Sequence, residues 1–285
     1  MPARSSVVAA TDWSPRATLL GYTVLTYTIS WSLWSVWAIS ETGATFTGTA
    51  LFVLGGLGPF AASAILLRAS DRSLRAWFRD IFEVHLSLRY YVLALALPVA
   101  LFLGAATIHV AFFDGVVTPD VLPGLIEYPL FLGFVILFGG GLEEPGWRGY
   151  ILPALQETYS PLTAGLLIGV VWAGWHLPLV FIPDTIQHTL PLGLYLLQLV
   201  ELSILLTWLT NRANGSVLPA ILLHAGGNAL LNYYPVGGLR VRRHPSGRDY
   251  LSRCLPSRLS PSSSLPGHRL ALTVQLANVF VGTQQ

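Results

Sequence analysis

The stretch "YPLFLGFVILFGGGLEEPGWRGY", residues 128–150, decides how this chain is read. It runs uncharged through Leu142, and then Glu143, Glu144 and Arg148 arrive within six residues. Ionised groups are kept out of hydrocarbon unless they are paired or put to use, so the run raises a question of environment and a question of purpose. Glu144 and Arg148 stand four apart, the spacing at which helical side chains meet, and Pro145 and Gly146 between them weaken the backbone ladder. The triple glycine 139–141 lets a neighbouring backbone come close or lets the helix bend.

Composition answers the first question. Hydrophobic residues make up 53% of the 285 and charged residues only 11%, with a mean hydropathy of +0.60; soluble domains carry roughly a quarter charged residues. A hydrocarbon core about 30 Å thick takes on the order of 20 helical residues. The expected fold is therefore all-α, a polytopic transmembrane helix bundle of about seven to eight spans. The apolar runs place spans at 17–40, 49–68, 90–113, 127–144, 161–182, 191–210 and 217–234. The N-terminus is polar through Arg16 and the first run is of spanning length, so no cleavable signal peptide is expected. Cys254 is the single cysteine, which excludes an intrachain disulfide. The net charge of +2 points to no nucleic-acid partner; the partner by composition is the lipid bilayer.

Topology follows from the arginines. Arg4 and Arg16 precede the first span, and Arg68, Arg72, Arg75, Arg79 and Arg89 crowd the segment between the second and third. The positive-inside rule makes the N-terminus and segment 69–89 cytoplasmic in a multi-pass cell-membrane protein. "DRSLRAWFRDIFEVHLSLR" (71–89) is amphipathic and is expected along the anionic inner leaflet. The organisation reads as a cytoplasmic N-terminus 1–16, N-terminal spans 17–119, a helical core 120–235 and an atypical tail 236–285. The tail holds seven arginines and many Pro and Ser residues, and an outward-running seventh span would begin it on the wrong side for that charge. It reads as disordered, or as the frame-shifted replacement of an eighth span.

Two more polar clusters lie in apolar surroundings. "VVWAGWHLPL" (170–179) sets His176 four residues after Trp172 and two before Pro178, and "LPAILLHAGGNALLNYY" (218–234) sets His224 and Asn228 on one helix face. A carboxylate can take a proton from water, an imidazole can orient that water or protonate a leaving amine, and His and Asn donors can hold an oxyanion. Two imidazoles and a carboxylate, as in Glu143, His176 and His224, can also hold a divalent metal such as zinc with a position left for water. Both readings lead to hydrolysis of an amide. No serine elbow or HExxH helix is present, so covalent catalysis is not expected. Gln198 and Glu201 lie inside the sixth span, where Glu201 is expected to partner Arg148 or a site histidine, or to face the bundle interior. His85, His109, His188, His244 and His268 are expected to have no part in the site.

Glu143-Glu144-x-x-x-Arg148, Trp172-x-x-x-His176 and His224-x-x-x-Asn228 resemble, in order and approximate spacing, the three motifs of the type II CAAX prenyl protease family, also called the Abi or CPBP intramembrane protease family. The resemblance covers roughly residues 120–235. It implies an intramembrane endopeptidase of about eight spans with a cavity open to the cytoplasmic side, acting on membrane-anchored or lipidated peptides. Carried over, Glu143 is the general base and His176 its partner in activating water; His224 and Asn228 stabilise the oxyanion, while Glu144 and Arg148 support the base. Trp172 stands where the family usually has Phe. The family has been described both as metal-free and as metal-dependent. The competing function class is a non-proteolytic immunity or scaffold protein that keeps the polar cluster for helix specificity. A structural cluster should pair off completely; a catalytic one should leave Glu143, His176 and His224 converging on a water-accessible cavity.

Overall fold

The structure is a computed structural model and describes residues 13–40, 42, 45–113, 124–183, 185–231 and 233. Tail 236–285, and with it the disordered-tail and eighth-span expectations, lies outside the described residues. Every regular element among those residues is helical, as expected. The order is α1 (Pro15–Ser40), α2 (Phe46–Gly56), α3 (Gly58–Ala69), α4 (Leu74–Ile81), α5 (Leu88–Phe112), α6 (Tyr128–Phe138), α7 (Glu144–Gly146), α8 (Leu152–Gln156), α9 (Pro161–Trp175), α10 (Leu177–Val180), α11 (Ile186–Thr189), α12 (Leu192–Arg212) and α13 (Leu218–Leu230). A 3-10 turn over Gly140–Leu142 and a π-helical turn over Trp147–Ile151 join α6, α7 and α8 into one irregular helical run.

Three segments are long and apolar enough to cross a membrane, Leu88–Phe112, Leu125–Gln156 and Leu192–Arg212; α2 and α3, bent by 49°, qualify as a fourth when taken together. That is fewer than the seven to eight expected, for local reasons. The Thr, Ser, Tyr and Trp content of α1 dilutes its apolar character. α9 ends after 15 residues, next to His176 and Pro178, and α13 has 13.

Lipid tails are as apolar as leucine, so helices in a bilayer associate through close packing and buried hydrogen bonds. Glycines supply the closeness between α9 and α12. A Cβ on Gly169 would lie 2.9 Å from the Val200 Cα, and the Ser203 hydroxyl donates to the Gly165 carbonyl at 2.9 Å. α1 is tied to α9 by the Tyr27 hydroxyl on the Val171 carbonyl (2.5 Å) and the Trp31 indole on the Trp175 carbonyl (3.0 Å). Trp34, Trp175, Trp147 and Tyr22 form a chain of ring contacts, with centroids 4.7, 6.2 and 5.2 Å apart in turn.

α4 is the short amphipathic helix anticipated in segment 69–89. Ser73 caps it by accepting from the Ala76 N–H at 3.2 Å. Arg75 and Arg79 face outward, and Trp77 and Ile81 are buried. The Trp77 indole donates to the Gly149 carbonyl at 2.9 Å, in the π-helical turn. A π turn leaves backbone groups out of the regular ladder and often sits at a working site; here a helix from another part of the chain satisfies one of them.

Candidate active site

The three motifs reach one place from three breaks or faces. Glu143 sits where the 3-10 turn meets α7, and His176 caps the end of α9 at its break with α10. His224 and Asn228 lie on α13. Glu143, Glu144, Arg148, Trp172, His176 and His224 are all buried, and Asn228 is half-buried.

Trp172 is the hub. Its indole N–H donates to Glu143 Oε2 at 2.7 Å. The His176 and His224 rings stand edge-on to it, at 5.5 and 5.1 Å between centroids. The Arg148 guanidinium lies over it at 5.0 Å, a cation–π contact.

Glu144 takes both its hydrogen bonds on Oε1, from His224 Nδ1 at 2.7 Å and from Arg148 Nη1 at 3.3 Å; Arg148 Nη1 also lies 3.0 Å from Oε2, the expected i,i+4 ion pair. Arg148 Nη2 adds a bond to the Ser203 carbonyl at 3.4 Å. A carboxylate that accepts from a guanidinium and an imidazole N–H fixes the orientation of both.

The other groups keep an atom free. His176 Nδ1 donates to the Trp172 carbonyl at 2.9 Å, since a carbonyl can only accept. That leaves Nε2 of the neutral ring with its lone pair. His224 presents its Nε2 toward Gly140: a Cβ there would collide with that nitrogen and lie 2.7 Å from Asn228 Nδ2. Among the described residues, Glu143 Oε1, His176 Nε2 and His224 Nε2 make no hydrogen bond.

One expectation is corrected by this placement. Glu201 is not a partner of Arg148 or of a site histidine, and it does not face the interior: it lies exposed on the outer face of α12, while Ser203, two residues on, supplies the Arg148 contact. Among the described residues no three His, Cys, Asp or Glu side chains, Glu143, His176 and His224 included, are grouped as a metal-ligand set. Glu144 and Trp172 each hold one of those three from another side.

The structure adds residues that the motifs did not name. Tyr195 on α12 is buried with its ring edge-on to His176, centroids 5.9 Å apart. Nothing in the sequence separates it from the other tyrosines of the spans. Gly140 falls inside the triple glycine, and its role as a close-approach point was legible there.

Residues 125–230 match the family model for the type II CAAX prenyl endopeptidase, Rce1-like. That stretch of the chain is similar to the Rce1-like family. Over 222 residues the chain is also 27% identical to CAAX prenyl protease 2 of Methanococcus maripaludis, an alignment covering 71% of this chain and 80% of that protein. The family resemblance carried by the three motifs is thus shown, and the Rce1-like region holds all of them.

Proposed function

We propose that this protein is an intramembrane endopeptidase that hydrolyses a peptide bond by activating water between Glu143 and His176. The observation that supports the reading is the arrangement around Trp172: a carboxylate and two imidazoles touch one indole, and each keeps an unengaged atom on a ring or carboxyl already fixed from its other side. Fixed orientation before the reaction is what makes such groups effective.

In this reading Glu143 Oε1 accepts a proton from a water molecule, with His176 Nε2 as that water's second acceptor. The resulting hydroxide adds to the carbonyl carbon of the scissile bond. Negative charge then develops on the carbonyl oxygen, beside Gly140, where Asn228 Nδ2 donates and His224 Nε2 donates when it carries a proton. Glu144 acts as a positioning residue, accepting from His224 Nδ1 and aiming its other nitrogen. The proton held by Glu143 passes to the departing amine as the C–N bond breaks. No step is routed through a metal, since the residues do not gather as a ligand set.

The substrate proposed is a membrane-anchored peptide of the prenylated CAAX type, cut near its C-terminus. The relative's name and the family description both point to that substrate. A site built into apolar helices suits a peptide whose anchor already lies in the bilayer.

The test is cleavage of a fluorescence-quenched farnesylated CAAX peptide by the full chain in lipid. Glu143→Ala should lower kcat by about 10² to 10⁴, the range set by loss of a general base, with helix content unchanged. Retained activity removes Glu143 as the base. A chelator arm reads the metal question: cleavage that survives chelation supports the metal-free route, and cleavage lost on chelation and restored by zinc assigns Glu143, His176 and His224 to a metal instead.

A further inference from the structure

The outer face of α12 carries polar groups at the depth where they are least tolerated. Glu201 lies in the middle of the 21-residue helix Leu192–Arg212, about 15 Å along the axis from either end at 1.5 Å per residue. It is exposed, as is Gln198 one turn before it, and among the described residues neither has a hydrogen-bond or ionic partner. Neither touches the site: Ser203, Leu206 and Thr207 turn inward from the opposite face of α12.

The exposed positions form a pattern. Leu194, Gln198, Glu201, Leu205, Trp208 and Arg212 follow one another at intervals of four, three, four, three and four. All are exposed except Leu205, which is half-buried. A 3.5-residue repeat is the seam along which two helices wind around each other with a left-handed supercoil. Against lipid alone such a seam has no function, and the carboxyl in it is a cost.

We propose that this seam is the interface of a parallel homodimer, with α12 of one copy against α12 of a second. The chemistry selects a second copy over another partner. A two-fold interface uses the same patch twice, so the patch must contain both halves of each interaction. Gln198 brings amide donors and Glu201 carboxyl acceptors, in adjacent layers about 4.5 Å apart along the axis, so the Gln198 side chain of each copy reaches the Glu201 side chain of the other. A basic partner helix would satisfy Glu201 and leave Gln198 unused. The active sites stay on the far sides of the pair, within their own bundles.

The test uses the full chain carrying Cys254→Ser, in lipid vesicles under mild oxidation. Single cysteines are placed on the seam (Leu194→Cys or Leu205→Cys) and, as a control, on the exposed face of α5 (Leu103→Cys). The two seam positions should give a disulfide-linked dimer and the control should not. Adding Gln198→Leu and Glu201→Leu should cut the dimer about tenfold, the scale of interhelical hydrogen bonds in a bilayer; these changes remove lipid-facing polar groups and should leave the fold intact by helix content and gel filtration. Glu201→Gln should keep the dimer, because an amide still hydrogen-bonds. Seam cysteines that link no better than the control overturn the proposal, as does a dimer indifferent to the leucine pair. A dimer lost in Glu201→Gln also overturns it and assigns Glu201 to a basic partner, another helix or this chain's own arginine-rich tail.

Discussion

Trp172 holds the Glu143 carboxylate through one N–H while its ring carries two imidazoles and a guanidinium. Trp172→Phe separates those jobs. It keeps an aromatic wall and removes the donor, so kcat should fall about tenfold, one hydrogen bond's share, and the melting temperature should drop as well, because a buried carboxylate loses its partner and the smaller ring leaves a void. Gly140 is the complementary case, where space is the function: Gly140→Ala puts a methyl where His224 Nε2 and Asn228 Nδ2 point. Activity should fall by at least about a hundredfold if those donors hold the oxyanion, measured against unchanged helix content. Glu144 should behave unlike Glu143. Glu144→Gln leaves the buried Arg148 without its counter-charge, which costs about 3–5 kcal/mol, and thermal unfolding should report it. Adding Arg148→Met should restore much of that stability without restoring activity, because a neutral amide is a weaker acceptor for the His224 N–H than the carboxylate it replaces. The pairing of Glu144 with Arg148 was legible in the sequence from their spacing; the third partner was not, since His224 stands 80 residues away and only the fold brings it in.

Among the elements, the irregular run from Gly140 to Ile151 holds the site together, and its neighbours hold it. A Cβ on Gly146 would lie 2.5 Å from the Tyr22 hydroxyl of α1, and α4 donates its Trp77 N–H to the Gly149 carbonyl. Trp77→Phe removes that donor from a buried carbonyl and should cost about 1–3 kcal/mol, measured as a lower melting temperature. Pro145, Gly146 and the triple glycine signalled that the helix would not be regular. They could not say that the irregularity would be a π turn, because a local sequence does not specify which distant helix will satisfy the freed carbonyl. The same limit applies to α12. Apolar periodicity located the helix, but its Glu201 was expected to turn inward on the general rule that intramembrane acids do so. Leucines recur all around that helix, so the rotation about its axis was set by contacts with α9 that the sequence does not display. Those contacts run through Gly165 and Gly169, which take Ser203 and Val200 against them and leave Glu201 outside.

For the molecule as a whole, the all-helical architecture was fully legible from composition, and the number of spans was not. Run length counts apolar residues, whereas a bundle can use bent, broken and half-length helices wherever other protein covers their ends. His176 depends on this, since it sits at such a break, between α9 and α10. Chain order has its own consequence. Glu144 and Arg148 are four residues apart and leave the ribosome together, so this acid meets its counter-charge at once and only Glu143 of the segment enters the bilayer without one. His224 and Asn228 are the last of the site residues to be made. On the proposed mechanism, a nascent chain stopped before Leu218 holds Glu143 yet has no donors for an oxyanion, so it would not cut the membrane proteins being inserted beside it.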